Sequence, residues 1–392
     1  MIAMLRAAAG SGPAGRPVYL DCAATTPLDP RVEAELIRSL REDFGNAGSR
    51  THTYGSAARR AVEQARDRVA HLAGAARGEV LFTSGATESN NLALLGLEAH
   101  GRAMGKRHII ASSIEHHAVL EPIRRLEQRG FETTWIDPEP GGWVDPAKVE
   151  AALRDDTLLV SVMHVNNETG VRQPIAEIAA KLARSPAYFH VDAAQSFGKE
   201  IDELRLPRLD LISISGHKLC APKGVGALIC RRRGGERPPL EPLAVGGGQE
   251  LGLRPGTLPV ALIVALGKAA ELADEERDER RQTVCRLQTN LLDGLAAAGA
   301  RLHGDRERLS PYIVNVSFPS LEAEEVMEAW QDLAAVSDGA ACTSQSYTCS
   351  HVLSAMRLPP DYLAGAVRLS WCHLSEPPDA AALTAALAAP LP

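Results

Sequence analysis

The chain has 392 residues, 45% hydrophobic and 23% charged, with a formal net charge of −7. That balance describes a globular protein with room for one large and one smaller domain and no need of disulfide staples. The acidic balance leaves no basic footprint for direct nucleic-acid binding. No apolar run approaches a membrane span. Seven cysteines without a short-range framework read as reduced thiols in a cytoplasmic setting.

Residues 1–17, rich in Ala, Gly and Pro and lacking the apolar stretch of a signal peptide, read as a flexible tail. A short extended run, Val18 to Asp21, enters a turn at Thr25-Thr26-Pro27. Pro30 then opens a helix to Leu40, with Asp29 as its N-cap. Residues 41–55 form a long polar loop, and Ser56 to Leu72 carry apolar residues at helical spacing. From Glu79 onward short apolar strands alternate with helices. The strands are Val80–Thr83, His108–Ala111, Phe131–Ile136, Leu158–His164, Tyr188–Asp192, Leu209–Ile214 and Ala227–Cys230. This alternation predicts an α/β fold with a mostly parallel sheet covered on both faces. A long helix is expected from Pro259 to Ala297 with a charge-dense middle. After it come a strand with one exposed face at Tyr312–Phe318, a helix at Ala323–Leu333 and a strand at Ala366–Ser370. These form a smaller α+β domain. The division is placed at residues 18–270 and 271–392, within the long helix.

In such a sheet, ligands bind beyond the carboxyl ends of the strands, and the polar clusters all sit at those ends. Lys218 lies in Ser215-Gly216-His217-Lys218 between two apolar strands, where desolvation can make a lysine a usable nucleophile. Ser84-Gly85-Ala86-Thr87 precedes a helix and can offer free N–H groups to a phosphate, or act as a plain cap. Ser215 and His217 add donors. Asp192 ends an apolar strand, where a carboxylate needs a cationic partner such as a protonated pyridine nitrogen. Gln195 can bond a neighbouring ring oxygen, and His116 can stack on a flat ring or move protons. Glu115, His116, His117, His164, His190 and Asp192 are metal-ligand types, but no ligand spacing supports them, and no metal is assigned. Cys342 lies among small residues that suit an exposed reactive thiol, and spacing alone does not separate it from Cys349. Cys22, Cys230, Cys285 and Cys372 read as buried structural residues.

Taken together these stretches resemble the NifS/IscS-like cysteine desulfurases, class V members of the fold type I pyridoxal-phosphate enzymes. The matching stretches include Thr83-Ser84-Gly85-Ala86-Thr87-Glu88-Ser89-Asn90-Asn91, Glu115-His116, Val165 to Gly170, and His190-Val191-Asp192-Ala193-Ala194-Gln195. Ser215-Gly216-His217-Lys218, Gly246 to Glu250, Arg254-Pro255-Gly256-Thr257 and Ala341-Cys342-Thr343-Ser344 complete them, in family order from residue 18 to about 373.

The resemblance implies a cofactor, pyridoxal 5'-phosphate, joined to Lys218, which later moves protons. It implies Asp192 on the ring nitrogen, His116 on the ring face, Gln195 on the ring oxygen, and Ala86, Thr87, Ser215 and His217 on the phosphate. Thr257 would reach the phosphate of a partner subunit, so a homodimer is expected. Asn46, Asn167 and Arg368 would hold the substrate, L-cysteine, with Asn167 also beside the cofactor and Arg368 forked onto the substrate carboxylate. The products are L-alanine and a persulfide on Cys342, whose sulfur passes to an acceptor protein.

Some positions depart from the family pattern: Cys220-Ala221, Pro255, the segment Gln345 to Ser350, and Trp371-Cys372-His373. These departures resemble the DndA branch, which supplies sulfur for phosphorothioate modification of DNA; the acceptor would then be a protein of that system, such as an iron–sulfur protein. Iron–sulfur cluster assembly, tRNA thiolation, selenocysteine lyase activity and a non-catalytic cofactor-binding scaffold are the competing readings.

Overall fold

A computed structural model describes residues 16–338 and 350–388. Its main sheet has seven strands in the order β2-β8-β7-β6-β5-β3-β4. These are β2 (Val80–Thr83), β3 (His108–Ser112), β4 (Glu132–Ile136), β5 (Thr157–Ser161), β6 (Tyr188–Asp192), β7 (Leu211–Ser215) and β8 (Gly226–Cys230); β1 is the short Val18–Tyr19. Strands β3 to β7 run parallel, and β8 is antiparallel to both β2 and β7.

The sheet is buried on both faces, which explains why its strands read as near-continuous apolar runs. Successive side chains go to opposite sides. Val80 and Phe82 join the core under the helices Thr53–Ala73 and Val260–Glu275, while Leu81 joins the core under Ala86–Leu95 and His117–Glu127. Each such side chain, fully buried, contributes about 1.5–3 kcal/mol. Because the parallel strands share one direction, their carboxyl ends lie along one edge, at Ser112, Ser161, Asp192 and Ser215.

The helix capped by Asp29 runs from Pro30 to Glu42, and Asp29 Oδ1 accepts from Arg31 N at 2.9 Å. The following helix begins earlier than its apolar spacing indicates, at Thr53, because His52 Nδ1 caps Gly55 N at 3.1 Å. The expected single helix after Pro259 is two, Val260–Glu275 and Arg277–Ala296. At the break, Glu276 leaves helical geometry and its Oε2 accepts from Arg31 and from Arg280, each at 2.9 Å. Two residues of the charge-dense middle, Glu276 and Arg280, thus turn into a buried ion network with Asp29, while Glu275, Asp278, Glu279 and Arg281 stay exposed.

A second sheet has three antiparallel strands in the order β12-β10-β9: β9 (Arg301–Leu302), β10 (Ile313–Ser317) and β12 (Val367–Ser370). The alternation in β10 predicts one exposed face, but the whole strand is buried. Its polar side chains find partners inside: His303 Nε2 lies 3.0 Å from Ser317 Oγ, and Asn315 Nδ2 donates to Glu168 O at 3.4 Å, while Asn315 Oδ1 has no partner among the described residues. Near the other end of the chain, β1 pairs in parallel with β11 (Ala334–Ala335). Leu20 and Ala23 thereby enter the same core as Val314, Trp330 and Leu369. A last helix, Ala380–Ala388, packs there too and accepts Trp330 Nε1 on Leu383 O at 3.0 Å. Its alanine-rich sequence carries too weak an apolar stripe to announce itself. No helix among the described residues is long and apolar enough to cross a membrane.

Candidate active site

The loops that follow β2, β3, β5, β6 and β7 converge with Ala23, Ala24 and Arg368 on a cavity of about 540 Å³. Lys218 closes a tight turn, Gly216–Lys218, directly after β7. The turn requires glycine at 216, where a Cβ would stand 2.8 Å from Val225 O. Thr26 N and Oγ1 both donate to His217 O at 2.9 Å, fixing the loop against the N-terminal segment. Lys218 Nζ donates to Ala24 O at 2.7 Å and also to Ala23 O.

Asp192, the last residue of β6, is only 4% exposed. Its Oδ2 accepts from Asn90 Nδ2 at 2.7 Å and its Oδ1 from Ala194 N at 2.9 Å. His116 N-caps the helix His117–Glu127, with Nδ1 accepting from Ala118 N at 3.0 Å. With Nδ1 occupied as acceptor, the neutral ring carries its proton on Nε2. Burial lowers its pKa, with Lys218 and the neighbouring histidines adding to this and Asp192 opposing it. Gln195 Nε2 donates to Ala23 O at 2.9 Å, while its buried Oε1 has no hydrogen-bond partner among the described residues.

At one end of the cavity the helix Ala86–Leu95 begins after Gly85 with no side-chain cap. Gly85 has φ 153° and ψ −179°, a backbone region open essentially to glycine alone. Glu88 does not cap its own helix; its Oε2 takes Ser84 N at 2.6 Å. The first N–H groups of the helix, at Ala86 and Thr87, stand beside Ser215 and His217 in the cavity lining. His217 is pushed down to about 4 by burial and by Lys218, Lys223 and Lys199, so it is a neutral donor. At the other end Arg368 donates from Nη2 to Asp21 Oδ1 at 2.8 Å and from Nη1 to Asn167 O at 3.1 Å. Its Nε is buried and unbonded among the described residues.

The structure therefore brings together Lys218, Asp192, His116, Gln195, Ala86, Thr87, Ser215, His217, Asn167 and Arg368. It does not bring Asn46 or Thr257 into this cavity. Asn46 is exposed, its Oδ1 accepts from Gly48 N at 2.8 Å, and it lines a separate cleft with Arg66 and Gln249. Thr257 is exposed on the neighbouring segment. Cys342 and Cys349 lie outside the described residues.

The arrangement fits the phosphorylated pyridine expected from the sequence. An uncapped helix start flanked by neutral donors suits a phosphate. A buried carboxylate suits a protonated ring nitrogen, and the unbonded Gln195 amide oxygen marks a polar position still open to a ligand.

Sequence reasoning gave no role to Asn90, to the carbonyls of Ala23 and Ala24, or to Asp21. Asn90 lies within a recognised motif, so one turn of helical spacing from Ala86 was the available signal. The histidines weighed as metal ligands do not gather. His190 is a core residue between Ser161 Oγ at 2.8 Å and Ser213 Oγ at 3.0 Å, held neutral by burial, which pushes it down to about 3. His164 Nε2 pairs with Glu203 Oε2 at 3.0 Å.

Glu115 lies behind His116, fully buried, with Ser112 Oγ and Met163 N donating to its Oε1. Burial pushes its pKa from 4.5 up to about 8. The native state then holds a proton that the unfolded chain releases, so stability falls as pH rises between about 4.5 and about 8. Glu115→Gln removes that titration. The wild type should lose about 5 °C of Tm relative to the variant between pH 5 and pH 8, measured by thermal unfolding.

Comparison with known proteins places these features. The aminotransferase class-V family profile matches residues 18–383. The cysteine desulfurase IscS of Vibrio cholerae is 47% identical over 358 residues, which cover 91% of this chain and 88% of that protein. The crystal structure of DndA from Streptomyces lividans superposes with a TM-score of 0.80 at 49% identity, covering 90% of this chain and 99% of that one. SspA in complex with cysteine superposes with a TM-score of 0.80 at 36% identity, covering 92% and 99%.

Proposed function

This chain belongs to the aminotransferase class-V family, and we propose that it is a pyridoxal-phosphate-dependent cysteine desulfurase, converting L-cysteine to L-alanine and holding the sulfur on Cys342. The observation that carries the reading is the convergence of Lys218, Asp192 and Arg368 on one cavity at the carboxyl edge of the sheet. Asp192, His116, Gln195 and the first helix N–H groups at Ala86 and Thr87, with Ser215 and His217, would hold the cofactor. When bound, pyridoxal phosphate supplies an electron sink for charge developing at the substrate's Cα.

The protein's own groups do the rest. Arg368 takes the substrate carboxylate, and Asn167, whose carbonyl anchors Arg368, lies beside it. Lys218 Nζ removes the proton at Cα and later returns one. The Cys342 thiolate attacks the substrate sulfur, the S–S bond forming as the Cβ–S bond breaks. Its electron pair passes to carbon, and protonation there leaves L-alanine. Neutral His116, with its proton on Nε2, can donate to the reacting groups without adding a second cation beside Lys218.

Two copies would complete the site. Asn46 and Thr257 lie outside the cavity; Asn46 lines a cleft with the exposed Leu251, and Leu243 and Val245, the latter 92% exposed, precede it in the chain. An apolar surface of this kind suits a homodimer. The free thiols of Cys22, Cys220, Cys230, Cys285 and Cys372 fit a reducing cytoplasm. The sulfur acceptor is a protein of a DNA phosphorothioation system. The likeness to DndA and the departures at Gln345 to Ser350 and at Trp371-Cys372-His373 support that reading.

The test is peptide mass spectrometry of the cofactor-loaded protein before and after L-cysteine. One extra sulfur on the Cys342 peptide, with L-alanine released, is the expected result. Alanine without sulfur on Cys342 would move the nucleophile to another thiol, with Cys349 the first candidate.

A further inference from the structure

Beside the cavity, and outside it, three chain segments bury their thiols against one another. Cys22 follows β1, Cys220 follows Lys218 by two residues, and Cys372 follows β12. With the adjacent His373, all are 3% exposed or less. Cys22, Cys220 and Cys372 pack with Leu374 in one buried cluster. The donor atoms of Cys220, Cys372 and His373 all lie within 4.8 Å of one another. None of these cysteines is in a disulfide. We propose that Cys22, Cys220, Cys372 and His373 form a site for one borderline-soft divalent metal ion, zinc being the best fit.

The chemistry of the set is specific. Three sulfurs and one imidazole make a closed tetrahedral structural zinc site. Zinc–sulfur bonds of about 2.3 Å space tetrahedral ligands about 3.8 Å apart, so the three ligands need contract by no more than about 1 Å. Cys22 stands outside that close group of three but packs in the same buried cluster, and a shift of its side chain would bring it to the fourth position. It is a short side chain in a turn, and its Sγ lies 3.7 Å from the Ser375 hydroxyl.

The surroundings match as well. His373 Nε2 lies 3.8 Å from Asp29 Oδ2, and a carboxylate on the second nitrogen is the usual outer partner of a metal-bound imidazole. Three thiolates around a divalent ion leave one negative charge. Cys220 also holds a left-handed backbone, φ 59°, an uncommon conformation for a residue with a side chain, which persists only where its surroundings demand it. Binding releases the thiol protons and leaves no other product. Such an ion would tie the Lys218 turn to the segments bearing Ala23 and Arg368, giving it a positioning role and no part in the chemistry.

Because the four side chains are buried, the metal should load as the chain folds. The full chain is therefore expressed with zinc, or with cobalt, in the medium. The expected result is one metal per chain by elemental analysis. The cobalt form should show thiolate-to-cobalt charge transfer and the intense visible bands of tetrahedral coordination. Cys220→Ser and Cys372→Ser should each lower the metal content at least tenfold, while Cys342→Ser, Cys349→Ser and Cys230→Ser retain it. Zinc X-ray absorption of the unaltered protein keeps the question answerable if those variants fail to fold; three sulfur neighbours and one nitrogen are expected. A metal-free chain after growth in zinc would overturn the proposal. So would a Cys220–Cys372 disulfide in the peptide map, an oxygen-dominated shell, or metal lost only in Cys342→Ser.

Discussion

Alanine at position 218 should lower kcat for release of L-alanine from L-cysteine by about 10³-fold or more. Lys218 is the cavity's amine on the turn that ends β7, and its Nζ is aimed by two backbone carbonyls, Ala23 O and Ala24 O. Those acceptors belong to a segment fixed from the other side, where Ala23 N donates to Ser370 Oγ at 2.8 Å. Truncation therefore removes the amine without removing the frame that points it. The Thr26 bonds to His217 O keep the turn in place. Borohydride reduction and peptide mapping should put the cofactor's mass on Lys218 in the wild type and on no residue of the variant. A variant keeping more than about a tenth of wild-type turnover would dismiss Lys218 from the reaction.

The second large effect is expected at Asp192. Replacing it by alanine should lower kcat by about 10²–10³-fold, as for loss of a preorganised charge at a reacting centre. The cofactor should also be released on dialysis. Asp192→Asn is the sharper comparison. It keeps the size and can still accept from Ala194 N, but it brings an amide against Asn90 Nδ2 and carries no negative charge. If charge is what matters, asparagine should be nearly as damaging as alanine. If packing is what matters, asparagine should be close to wild type. Leaving Asn90 without its acceptor in Asp192→Ala costs about 1–3 kcal/mol, which a Tm measurement separates from the kinetic effect.

The parallel sheet and the edge carrying the site were legible because each polar cluster directly follows its own strand. Ser84–Thr87, His116, Asn167, Asp192 and Lys218 are local signals, read a few residues at a time. What escaped depends on partners far along the chain. Glu276 breaks a helix that looks continuous, because its carboxylate meets Arg31, 245 residues away. Strand β10 looks half-exposed until the residues that cover it, His303 among them, are in place. The gathering of Cys220, Cys372 and His373 could not be read from spacing, although both stretches stood out as departures from the family pattern. The roles of individual residues came from the resemblance, and the geometry shows which of them share a cavity. Asn46 and Thr257 are the two it leaves outside.

The N-terminal segment pairs with the far end of the chain: Ser370 N donates to Leu20 O at 2.8 Å, across 350 residues. This fixes the order in which the protein can be finished during synthesis. The strands of the main sheet are all made once Cys230 has left the ribosome, and Lys218 and Asp192 with them. Ala23, Ala24 and Arg368 cannot take their places until β12 has emerged. Closure of the cavity is therefore a late, long-range event on the folding route, and tight capture of cofactor follows the emergence of β12. A ribosome stalled before residue 367 would carry a chain with most of its core sheet but no closed site.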